Sequence, residues 1–206
     1  MSDAATGMTA IDDGVLDGLV GLAISTGADN AVIIPTSAMI VEDHLADLCN
    51  ETACTCYGQA ASCPPHVGGP DEFRKLLGEF NQSIFLKIDV STDILLSEER
   101  WHIYRFLHRV ASCVRRAAVD GGYPNARAFA GGSCKRIFCR GHLDCKVVSR
   151  GGTCRFPDLA LPSMSGYGVN VFRLMEVAGW QMDRITRDTS SELVPMGSVS
   201  GLVLVA

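Results

Sequence analysis

Residues 131–157 read GGSCKRIFCRGHLDCKVVSRGGTCRFP and place Cys134, Cys139, Cys145 and Cys154 among glycines and basic side chains. Toward the N-terminus, residues 49–65 read CNETACTCYGQAASCPP and hold Cys49, Cys54, Cys56 and Cys63. All but one of the 9 cysteines therefore lie in two short stretches, with long periodic segments between them. Clustered thiolates are soft ligands that select zinc, copper(I) or iron–sulfur clusters. The rest of the fold is expected to hold these two loops around metal.

Composition sets the frame. With 206 residues, 47% apolar and 20% charged, the chain can bury a sizeable core, and a single domain over residues 1–206 is expected. Within it, residues 1–30 read as a helical N-terminal extension and residues 31–206 as the metal-binding unit. The acidic start, MSDAATGMTAIDDGVLDGLV, has no basic n-region and does not read as a secretory signal. No window approaches the apolar length of a membrane helix. The expectation is a cytoplasmic protein, where thiols stay reduced and cysteines serve metal or redox chemistry rather than a disulfide framework.

The net charge of -5 conceals an asymmetry. No Lys or Arg precedes Arg74, whereas residues 100–155 are strongly basic. Arg105, Arg109, Arg115 and Arg116 read as a solvated helix face. Lys135, Arg136, Arg140, Lys146, Arg150 and Arg155 fit charges that offset a thiolate-ligated cluster or attract an acidic partner. Nucleic-acid binding is not expected, because the overall balance is acidic and no recognition motif accompanies the patch.

The periodicity predicts an α/β layered domain, a mixed sheet flanked by helices with both cysteine loops at one end. Asp12 or Asp13 caps a helix to about Ser25, and residues 31–34 form a buried strand. A helix follows over residues 71–80, and residues 83–90, SIFLKIDV, are the clearest strand. Ser97 caps a helix to about Val119 whose buried stripe includes Ile103, Phe106, Leu107, Val110, Val114 and Ala117. Cys113, beside that stripe, reads as a small core residue. Strands are expected over residues 127–130, 181–186 and 201–205, and a helix over residues 167–178.

The cysteine spacings help to choose the metal. The gaps run four, one and six residues in the first stretch, then four, five and eight in the second, with no C-x2-C. Structural zinc sites use repeated short knuckles. A four-residue gap occurs in plant-type ferredoxins, and a final cysteine followed by proline occurs in bacterial ones, which Cys63-Pro64-Pro65 echoes. Iron–sulfur is favoured, with zinc as the alternative. The second stretch has four thiols, enough for a complete site, and His142 beside them reads as a surface histidine. In the first, Cys49, Cys54 and Cys63 can form three legs, with Cys56 or His66 as a fourth ligand. If neither binds, one metal position is open for chemistry.

These residues also resemble a known family. The run C-x4-C-x2-YG-x4-CPP-x-VG at residues 49–68, GYPNARAFAGGSC at residues 122–134, CRFPDLALPSMSGYGVNVF at residues 154–172 and the ending GLVLVA recur in that order in the cysteine-rich predicted metal-binding proteins of domain of unknown function 2284. Those proteins are best known from anaerobic bacteria and archaea. The resemblance covers nearly everything after Ala31 and implies a cysteine-ligated metal centre of iron–sulfur type. Carried over by position, Cys49, Cys54, Cys63, Cys134, Cys139, Cys145 and Cys154 match the recurring cysteines. Cys56 falls outside the pattern, and the second stretch has longer gaps than many members.

Three functions are weighed on this basis. The first is a cytoplasmic protein carrying two [4Fe-4S]-type clusters that transfers electrons or serves a redox enzyme as its partner. The second is an iron–sulfur enzyme whose three-cysteine cluster binds a small anionic substrate, with Arg155, Ser163, Tyr167 and His66 as pocket residues. Their plainer accounts are surface charge, helix cap, packed aromatic and loop. The third is a zinc-stabilised interaction module. No P-loop, dinucleotide fingerprint or nucleophile elbow points elsewhere.

Overall fold

Strand β2, Gln82–Ser91, explains the layering. Ile84, Phe85 and Leu86 are all fully buried, so both faces of this strand are covered, as the continuous apolar run IFL requires. The structure, a computed structural model, describes residues 13–50 and 54–206. Because successive strand side chains point to opposite faces, Ile84, Leu86, Ile88 and Val90 enter one core and Phe85 the other.

The first core lies under α1, Asp13–Ser25, and α5, Arg100–Asp120. Leu16, Leu19 and Ala23 of α1 meet Leu107, Val110, Ala111 and Val114 of α5 over Val199 and Val203. The second core gathers Phe73 and Leu76 of α3, Gly69–Leu77, with Leu174 and Met175 of α8, Val171–Val177, against Phe85, Phe129 and Leu202. Phe73 meets Phe129 edge to face, ring centroids 5.1 Å apart. Helices thus cover both faces of one sheet, the expected α/β class. The cap expected at Asp12 lies outside the described residues.

The sheet itself differs from expectation. Its order is β1-β2-β4-β3, with β1 Asn30–Pro35, β3 Arg127–Ala130 and β4 Met196–Leu204, and every neighbouring pair is antiparallel rather than mixed. The reason lies in β4. Strands β2 and β3, joined through α5, do run parallel to each other, as an alternating pattern predicts. β4 inserts between them and pairs antiparallel with both, making a split β-α-β unit. Among the described residues the one parallel pairing is an isolated bridge, Ala130 to Ser163.

Other differences are local. The segment 181–186 forms no strand, and β4 starts at Met196, five residues before the strand expected from apolar content. A short helix α4, Thr92–Leu96, capped by Ser91, precedes α5. Ser97 closes α4 by donating to Ile94 O at 2.9 Å and accepts from Glu99 N at 3.1 Å, so it serves the turn between two helices. On α5, Phe106 is exposed at 42%, whereas His108 and Ser112 are buried. The buried stripe is therefore rotated toward the second cysteine stretch. The remaining helices are the short α2, Asp43–Asp47, α6, Cys134–Ile137, and α7, Lys146–Arg150. Among the described residues no helix is long and apolar enough to cross a membrane.

Truncating Phe85, fully buried in the second core, to Ala is expected to lower the unfolding free energy by about 3–5 kcal/mol in chemical denaturation.

Candidate metal centre

Both cysteine stretches hang from the end of the β3–β4 pair. Gly131 N donates to Ser200 O of β4 at 3.2 Å, and Ala130 N to Pro162 O at 3.1 Å. Ser163 N in turn donates to Ser62 O at 3.0 Å, tying the first stretch to the chain that follows the second. The thiol of Cys63 donates to Ser133 Oγ at 3.2 Å across this seam. Cys63 and Cys134 are buried together beside Ala60, with Phe138 and Ala160 packed around them. All nine cysteines are free.

The thiols form two sets that meet there. Burial pushes the Cys49 thiol up to about 11, and the neighbouring Cys54, Cys63 and Cys56 add to the rise. Burial pushes Cys134 up to about 12; a Ser62 hydrogen bond opposes this, while Cys63, Cys154 and Cys139 reinforce it. Burial likewise raises Cys139, with Arg155 and Lys135 opposing and Cys154 and Cys145 reinforcing. Cys145 goes the other way. Burial alone would raise it, but backbone N–H groups of Val148, Ala61 and Val147 and the charge of Arg155 together lower it. Cys63 thus belongs to the first set yet touches the second.

Side chains from α5 clamp the second stretch. His108 is buried, with Nδ1 2.8 Å from Leu159 O and Nε2 3.1 Å from Gly131 O, so one imidazole spans both flanks of the cysteine loop. Burial lowers its affinity for a proton, and the two carbonyls partly restore it. Phe138 packs edge-on to His108 at 5.6 Å, faces Phe156 at 5.4 Å, and carries the Arg105 guanidinium over its ring. Lys135 Nζ binds the carbonyls of Cys139 and His142, closing that turn. Arg155 donates to Asp144 O at 3.0 Å and pairs with its carboxylate at 3.5 Å.

The first set lines a cavity of about 230 Å³ with Trp101, Tyr104, Ser133 and Ser163. Tyr104 lies against the backbone of Gly131 and Gly132. A Cβ on Gly132 would come 2.9 Å from Tyr104 Cγ, and its φ of 85° is one that other residues rarely adopt. Trp101 Nε1 is buried without a hydrogen-bond partner among the described residues.

The expected pocket residues separate. Ser163 lines this cavity, whereas Arg155 stands at the second set. Tyr167 is buried in the core against Phe73 and Phe129. His66 is exposed, with Nε2 3.2 Å from Gly58 O. Cys56 is buried and lines the cavity with Cys49, Cys54 and Cys63. His142 is exposed, and Cys113 is half-buried on α5. Tyr104, Trp101, His108 and Ser133 escaped the sequence reading. A clue existed, because 101, 104 and 108 share one helical face beside the apolar stripe.

The donor set fits a thiolate-ligated metal. Its sulfurs are soft, Phe156 N already donates to Cys154 Sγ at 3.4 Å, and glycines let the backbone approach. Among the described residues no three Cys, His, Asp or Glu side chains converge closely enough to hold a single metal ion. Two adjoining sets of free thiols at one end of an α/β sheet describe a cysteine-rich predicted metal-binding protein. The chain belongs to the family of predicted metal-binding proteins DUF2284, whose family model matches residues 32–205. No curated protein and no solved structure matches it.

Two outcomes follow from this geometry. Gly132→Ala forces both a strained backbone and a clash with Tyr104, and is expected to cost about 1–3 kcal/mol in thermal or chemical unfolding. An unfolded thiol ionises near pH 9, while Cys49 and Cys134 keep their protons to about 11 and about 12. Above pH 9 the unfolded chain therefore sheds protons that the fold retains. The melting temperature of the metal-free protein should accordingly fall as pH rises from 9 toward 11. A Cys49→Ala/Cys134→Ala chain should show a flatter profile.

Proposed function

We propose that this chain is a cytoplasmic iron–sulfur protein that carries two cysteine-ligated clusters of [4Fe-4S] type and passes electrons to a redox partner protein or maintains a redox enzyme. The observation that carries this reading is the meeting of two thiol sets at Cys63 and Cys134. Cys134, Cys139, Cys145 and Cys154 would hold one cluster, and Cys49, Cys54 and Cys63 the other. When bound, such clusters supply one-electron transfer.

The rest of the chemistry falls to the protein. A cluster takes its thiolates on separate irons, which suits thiols distributed around a cavity wall. Arg155 and Lys135 supply positive charge beside Cys139, and backbone amides donate toward Cys145. Both features stabilise negative sulfur and favour the reduced state. Raised thiols must lose protons before they ligate, so metal uptake should release protons and weaken as pH falls.

A second reading applies to the first set. Cys49, Cys54 and Cys63 can hold three corners, and the 230 Å³ cavity beside them leaves room for a ligand at a fourth. Cys56 shares that wall and competes for the position.

Iron, zinc and acid-labile sulfide measured on one anaerobic preparation test the proposal. Iron and sulfide in near-equal amounts support it, whereas zinc alone removes it in favour of a zinc-stabilised module. Cys139→Ser should lose most of the brown absorbance, and Cys113→Ser should keep it.

A further inference from the structure

Tyr104 stands where three openings meet. The cavity of the first thiol set shares Arg100 and Tyr104 with a groove of about 490 Å³ walled by residues 182–187. It shares Cys49, Tyr104 and Ser165 with a third cavity of about 350 Å³. The groove and the third cavity in turn share Phe172, Met182, Ser198 and Val199. The openings adjoin as three lobes along β4, with Tyr104 in the wall of each. Each lies in or near the size range of small-ligand sites.

The lobes differ in chemistry. Leu45, Leu48, Met164, Val169 and Val171 make the third cavity apolar. Leu48 and Phe172 remain 55% and 41% exposed in its wall, a large apolar surface to leave in water. The groove carries Arg100, Arg184 and Arg187 against one acid, Asp183. Arg100 holds Glu98 at 3.6 Å, but Arg184 and Arg187 make no ion pair among the described residues. At the thiol end, the Trp101 N–H is a buried donor without a partner among the described residues.

We propose that this three-lobed cleft binds a small organic anion with an apolar body. Its carboxylate or phosphate head lies against Arg184 and Arg187, its body against Leu48, Val171 and Phe172, and one end reaches the thiols beside Tyr104. Two guanidiniums without ion partners among the described residues select an anion, because a charge-assisted contact outweighs a neutral one. The apolar lobe selects a body longer than a bare inorganic ion. This extends the second reading above by naming a ligand class, but binding itself rests on the cleft and not on the metal.

Calorimetric titration of the full chain as purified tests it, with octanoate, octyl phosphate, octanol and acetate as probes. At least one of the eight-carbon anions should bind roughly tenfold or more tightly than octanol, for the charged contact. It should also exceed acetate by roughly tenfold or more, for the buried methylenes. Which anion binds better identifies the head group. Arg184→Gln/Arg187→Gln, on an exposed segment, should abolish the preference over octanol, and Phe172→Ser should weaken the preferred anion several-fold. Octanol binding as tightly as both anions, an anion affinity unchanged by the arginine substitutions, or no heat with any probe would overturn the proposal. Iron is assayed in the same sample. Zinc with intact anion binding would remove the iron–sulfur reading and leave this one standing; iron without anion binding would do the reverse.

Discussion

Cys63 and Ser133 are 70 residues apart in sequence and 3.2 Å apart in space. That contact fixes how the two cysteine stretches face each other, and it forms only if the sheet beneath them is correctly assembled. Ser133 follows β3 by three residues, so its position is set by the register of β3 on β4. Cys63 is held from the other side by Ser62, whose carbonyl accepts from Ser163 N. The seam is therefore a product of strand pairing. It brings thiols into a dry environment, where leaving them protonated is easy and ionising them is costly without a cation. The fold thus keeps two sets of partly buried thiols that a metal cation would help to ionise.

Helix α5 supports this arrangement along its whole length. Its apolar side packs on the sheet, and its flank offers Trp101, Tyr104 and His108 to the cysteine end. His108 Nε2 lies 3.1 Å from Gly131 O, and its Nδ1 accepts from Leu161 N at 3.3 Å. Buried polar groups are costly unless paired, so this imidazole helps to fix both strands of the loop. The same helix positions Tyr104 against Gly131 and Gly132, which couples the shape of the cleft to the backbone that carries Cys134. Packing and site construction are carried out by one element.

Much of the fold was legible in sequence. The run SIFLKIDV marked β2, and residues 127–130 marked β3, because short apolar runs bounded by turn residues have few other uses. The two cysteine stretches announced metal by composition and spacing. What escaped was set by tertiary context. β4 begins in Met196-Gly197-Ser198, residues with no strong strand preference, and is strand because β2 and β3 leave a slot for it. Residues 181–186 alternate in a way that resembles a strand, but they line the cleft as irregular chain instead. Trp101, Tyr104 and His108 matter through what lies above them, and a helix face does not declare its neighbours. The pocket reading of Arg155, Ser163, Tyr167 and His66 did not foresee the packing that sets Arg155 at the second thiol set and Tyr167 in the aromatic core.

The position of β4 has a consequence for how the protein is made. β2, α5 and β3 are complete well before residues 196–204 leave the ribosome, but the slot between the two strands is then empty. Gly131 cannot reach its partner Ser200 until that segment has been synthesised. Throughout that interval every cysteine already exists on a chain that lacks its organising strand. Non-local strand pairing is slow because loop closure must be met before any contact rewards it. The seam between the thiol sets therefore waits on a late, non-local strand pairing.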